Sequence, residues 1–172
     1  MISFDANNKR HRALMVLIIA RRDLDQAKKF IRYVAENIKS EQDELFIPLS
    51  SAAAIAYARP FIPTKKAPAL PSKYSRFSEP SLTRLHDAVI LFRNAFVAHS
   101  DRNLNQVFLI PKGSKVTWGD GKFKGTTIEH GDHITSGRLP LKWFPPFMDL
   151  CDHQLGRLRK DIDDEKQRLF PS

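Results

Sequence analysis

Apolar residues recur near the start of the chain at alternating spacings of three and four: Leu17, Ala20, Leu24, Ala27, Ile31, Val34 and Ile38. That is the period of a single helix face, and it predicts a helix from about Lys9 to Lys39. Charged residues fill its other faces, among them Arg21, Arg22, Asp25, Lys28, Lys29, Arg32 and Glu36. Asn7 or Asn8 is placed to cap it. So long a helix with one apolar seam requires partner helices to cover that seam.

The same reading predicts three more helices. One runs from about Gln42 to Ala58, with Ser40 as its N-cap, Asp43 completing an approximate capping box, and acidic residues in its first turn. Pro48 falls inside it, where it would kink the helix, and Pro60 ends it. The small-residue run from Ser50 to Ala58 permits close packing. The third helix spans about Ser81 to Ala98, with Leu82, Leu85, Val89, Phe92 and Phe96 at helical spacing. The last begins near Leu141 or Pro146, runs to Leu169, and presents Phe147, Cys151, Leu155, Leu158 and Ile162 on one face.

Between these lie two segments of different character. Residues 61–80 hold Pro63, Pro68, Pro71 and Pro80 among basic residues and read as a poorly ordered loop. Residues 106–110 (QVFLI) read as a strand closed by Pro111. Lys115–Trp118 and Lys122–Ile128 then flank Gly119-Asp120-Gly121, a hairpin turn signal. The expectation is a mostly α, single-domain chain over 1–172: a four-helix bundle with a small β-hairpin insertion, at about 105–135, before the last helix.

Composition narrows the setting. The apolar run at 13–20 is too short for a bilayer, which needs about 20 residues. Basic residues precede it, as in a secretion signal, but Arg21, Arg22 and Asp23 follow with no small-residue cleavage site. The single cysteine, Cys151, permits no internal disulfide and reads as a small core residue. Together these predict a soluble chain without a membrane partner, in a reducing cytoplasm. The formal net charge of +9 suits a polyanion such as RNA, or is simply a solvated basic surface.

Candidate chemistry concentrates at the end of the third helix, in Arg93-Asn94-Ala95-Phe96-Val97-Ala98-His99. Metal-independent RNA cleavage needs a proton shuttle near working pH, which histidine supplies. It also needs a cation on the phosphate, which arginine supplies with two parallel donors. Asn94 can orient either group. Six residues of helix separate Arg93 from His99 by about 600°, so they point about 120° apart and lie about 9 Å apart along the axis. One site is reached more easily if a second protomer contributes. The structural alternative pairs Arg93 with an acid, bonds Asn94 to a neighbouring helix, and leaves His99 at a helix C-terminus, favoured there by the dipole and by Asp101.

An arginine, a polar residue, four further residues and a histidine on a third helix resemble the signature of the HEPN superfamily. The stretch from Leu85-His86-Asp87 to His99-Ser100-Asp101 carries this resemblance, and Ala56-Tyr57-Ala58-Arg59-Pro60-Phe61 is similar to uncharacterised bacterial relatives. The resemblance implies a HEPN-like bundle, a homodimer with a composite Arg/His site, and a metal-independent endoribonuclease of the toxin or phage-defence type. By it His99 is the acid/base, Arg93 the phosphate clamp, and Asn94, Ser100 and Asp101 supporting groups. It also implies an RNA substrate and, as further partners, an antitoxin or another effector protein. The rival reading on the same fold is a non-catalytic RNA- or protein-binding module; a third is nucleotide binding or transfer.

Lys115, Trp118, Lys122 and Lys124, with Phe123, make the hairpin aromatic and basic, suited to stacking bases and gripping phosphates. Equally, its aromatics can pack on the bundle. Glu129, His130, Asp132 and His133 cluster four potential metal ligands, but their spacing fits no zinc signature and suits a polar turn. No metal or cofactor is expected. No Walker loop, GxGxxG or GxSxG element supports nucleotide hydrolysis, dinucleotide chemistry or serine hydrolysis.

Overall fold

A computed structural model describes residue 5 and residues 7–65, 68–94, 106–110, 115–116, 126–127, 131–135 and 139–170. Among them are four α-helices: α1 (Lys9–Asn37), α2 (Phe46–Ala58), α3 (Pro80–Phe92) and α4 (Phe144–Leu169). The described chain is therefore mostly helical. None of its helices is long and apolar enough to cross a membrane.

The N-terminal end of α1 is set by Asn8, whose Oδ1 accepts from the amides of Arg10 at 2.9 Å and His11 at 3.4 Å. Two donors that a helix start leaves unpaired are thereby satisfied. The predicted seam is the buried one: Leu24, Ala27, Ile31 and Val34 have no exposure at all. α1 packs most extensively on α4 and next on α2. From α4 come Phe147, Leu150, Cys151, Leu155, Leu158 and Ile162, all buried. Each fully buried large apolar side chain stabilises the fold by about 1.5–3 kcal/mol.

α2 begins four residues later than its pattern predicts. Ser40 Oγ accepts from the Gln42 amide at 3.2 Å, and Asp43 Oδ1 from the Leu45 amide at 2.9 Å. These local bonds hold 40–45 in turns that compete with helix. The acidic residues therefore precede the first turn rather than occupy it. Pro48 is then the third residue of α2, where an amide has no intrahelical partner to lose, so it breaks no bond of the helix. Pro80 opens α3 for the same reason.

The Pro-rich segment is also ordered where it is described. Short 3₁₀ turns form at Arg59–Phe61 and Ser72–Ser75. The Leu70 amide donates to Pro60 O at 2.7 Å, and Tyr74 is fully buried. Its carbonyl accepts from Gln154 Nε2 at 2.5 Å, and Lys73 Nζ reaches Asp161 at 2.6 Å. Tyr74 Oη also bonds Asp161. The segment is thus a strap laid across α4, with an aromatic anchor that proline counting overlooks.

Among the described residues, four short strands lie between α3 and α4: β1 (Gln106–Ile110), β2 (Lys115–Val116), β3 (Thr126–Thr127) and β4 (Gly131–Thr135). β1 pairs antiparallel with β4, from Gln106 opposite Thr135 to Ile110 opposite Gly131, and β2 pairs with β3. Asp132 and His133 consequently belong to a strand rather than to the polar turn expected there. Glu129 and His130 lie outside the described residues, as does the predicted turn at 119–121.

Candidate functional site

α3 is fixed by a buried histidine. His86 is 4% exposed, and its Nδ1 stands 2.8 Å from Tyr57 Oη on α2. Phe61 and Phe77 surround the ring, with centroids 4.7 and 5.4 Å away. Burial lowers the His86 pKa, with the Asp87 charge acting weakly the other way. A neutral imidazole with its proton on Nε2 accepts from the Tyr57 hydroxyl. Seven residues on, about 700° of helix rotation brings Arg93 back to nearly the same face as His86. The aromatic anchor thereby aims Arg93 at the junction of α1 and α2.

There Arg93 lines a cleft of about 250 Å³. Val16, Ile19, Ala20 and Asp23 of α1 form one wall, Arg59 and Ile62 another, and Leu70 of the strap closes it. Arg93 Nη1 donates to Asn94 Oδ1 at 3.0 Å, so the two polar residues of the predicted motif do meet. His99, Ser100 and Asp101 lie outside the described residues, as do Trp118, Lys122 and Lys124; Lys115 is described only as part of β2.

Two residues of the cleft were not singled out from the sequence as site residues. Asp23 is 5% exposed, although it is a carboxylate. Arg22 donates to its Oδ1 from Nε at 3.3 Å and from Nη2 at 3.0 Å. Arg59 Nη1 stands further off, at 3.9 Å. A buried carboxylate demands such partners. The signal was present: Asp23 falls three residues after Ala20 and four before Ala27, a charge on the buried stripe of α1. Arg59 offered less, a cation at the end of a helix just before Pro60.

A second cavity, of about 350 Å³, lies between α1, the strap and the C-terminal half of α4. Its Asp161 is paired with Lys73 and its Glu165 with Arg168, so its charges are largely answered from within. No group of three or more metal-binding side chains occurs among the described residues. Cys151 is buried, which pushes its thiol pKa well up and leaves it an inert core residue. No protein-family model, curated protein or solved structure matches this chain.

Proposed function

We propose that the chain is an RNA-binding protein of HEPN type that cleaves RNA without a metal. The single observation that carries this is the placement of Arg93 and Arg59 on one cleft beside a carboxylate already paired with Arg22. In this reading the guanidinium of Arg93 grips the scissile phosphate, steadied by Asn94. His99 takes the proton of the ribose 2′-hydroxyl as its oxygen attacks phosphorus, and a proton returns to the leaving 5′-oxygen. The products are a 2′,3′-cyclic phosphate and a 5′-hydroxyl. A homodimer would bring two Arg/His pairs to one groove, and an antitoxin or effector partner would restrain the activity.

The purified protein is expected to cut RNA in EDTA. His99→Ala and Arg93→Ala are each expected to abolish cutting while the helical signal and the oligomeric state persist. Cutting that survives both changes overturns the assignment. A second reading, binding without cutting, needs only the two cleft arginines as anion ligands and no proton shuttle. RNA binding with no cleavage product under any of these conditions establishes that reading instead.

A further inference from the structure

The charges around the cleft do not cancel. Arg22 reaches Asp23 with two nitrogens at hydrogen-bonding distance, so that pair is neutral as a unit. Arg59, at 3.9 Å, is held near the carboxylate without being consumed by a hydrogen bond to it. Asp23 is the only carboxylate lining the cleft among the described residues. Arg59 and Arg93 therefore leave two positive charges on a cleft whose remaining described lining, Asp23 apart, is apolar except for Thr64. Two guanidiniums suit a phosphate, and an apolar floor suits a base or sugar. The volume of about 250 Å³ lies just below the usual range of ligand sites, about 300–1,000 Å³, which limits the occupant to a small one such as a single nucleotide.

From this geometry we infer that the cleft is a binding site for a single nucleoside phosphate, in which Arg59 is the second phosphate ligand beside Arg93 and Asp23 is the positioning residue for Arg59. The inference rests on the RNA reading above only for the class of ligand. The same chemistry is offered by a free nucleotide and by the phosphorylated end of an RNA strand. Asp23 sets the place of Arg59 because its own place is fixed within the buried stripe of α1. Binding the nucleoside phosphate here requires no covalent step.

The test is titration calorimetry of the full chain with 5′-AMP, inorganic phosphate, and a short RNA carrying either a 5′-phosphate or a 5′-hydroxyl. AMP is expected to bind more tightly than phosphate, because the apolar floor contributes. Arg59→Ala is expected to weaken AMP roughly tenfold to a hundredfold, the range for losing a charge-assisted hydrogen-bond partner. Arg59→Lys, which keeps the charge and loses the fork, should fall between. Asp23→Asn should also weaken AMP, and the effect should vanish in an Arg59→Ala background. Asp23→Glu should restore part of the loss, as a merely structural role would not require. Preference for the 5′-phosphorylated RNA assigns the site to strand ends; equal binding of both RNAs, with AMP bound, assigns it to free nucleotide. AMP binding that is absent, or untouched by Arg59→Ala, overturns the inference. If AMP binds through Arg59 but no RNA is cut, the nuclease reading fails alone. If RNA is cut equally well by wild type and Arg59→Ala, and AMP binding does not depend on Arg59, this inference fails alone.

Discussion

His86 shows how one side chain can hold a site without belonging to it. Its ring is enclosed by Tyr57, Phe61 and Phe77, and burial lowers its pKa from the ordinary value. The folded chain therefore resists protonation there, while the unfolded chain protonates near about 6.5. Below that pH the unfolded state binds more protons, so stability falls as pH falls. Asp161 acts in a lower range. Burial alone would raise its pKa, but hydrogen bonds from Lys73 and Tyr74 and nearby positive charge lower it on balance. Its contribution is present above the ordinary carboxylate value and is lost only as pH drops through the folded value. Between pH 7.5 and 5.5, then, the melting temperature should decline, and His86→Gln should decline less steeply, since the amide cannot titrate. Parallel slopes in the two proteins would show that His86 contributes nothing to the pH dependence.

The helices differ in how much of them the pattern of apolar positions reveals. α1 and α4 were legible because each buries one continuous stripe, and every predicted member from Leu17 to Ile38 is buried. α2 starts later than its pattern predicts because hydrogen bonds to the Ser40 and Asp43 side chains outcompete helix, and periodicity does not register them. The strap reads as a poorly ordered loop in the sequence because its anchors are long-range. Gln154 Nε2 reaches Tyr74 O across 80 positions of sequence, and Arg157 Nη1 reaches Arg76 O at 3.2 Å. Gln154 has no exposure; its Nε2 is a buried donor to one carbonyl of the strap, and its side chain also bonds Tyr57. Gln154→Leu fills similar volume but withdraws that donor. It is expected to cost about 1–3 kcal/mol, because a buried carbonyl loses its partner, and to lower the melting temperature by several degrees. Limited proteolysis should then cut faster near Lys73 and Arg76. An unchanged melting temperature and unchanged cleavage there would mean that Tyr74 packing and the bonds of Asp161 and Arg157 hold the strap without Gln154.

At the scale of the molecule, the candidate site joins three distant parts of the chain: Asp23, Arg59 and Arg93. Arg93 and Asn94 were legible because their motif is local, while Asp23 and Arg59 become partners only when α1, α2 and α3 pack together. The net charge of +9 is a separate, diffuse contribution. The two are separable by salt, because each phosphate neutralised releases counterions. Binding to a single-stranded RNA should weaken with salt, with a log–log slope of about −0.7 for each phosphate engaged. If the cleft engages phosphates directly, Arg59→Ala and Arg93→Ala should each reduce that slope by about 0.7. Neutralising an exposed lysine that does not line the cleft, such as Lys160 on α4, should change it less, since it holds no phosphate there. A wild-type slope near zero would exclude phosphate-driven RNA binding altogether. Equal changes for Lys160→Ala and Arg93→Ala would assign the binding to the overall charge and leave the cleft no special part in it.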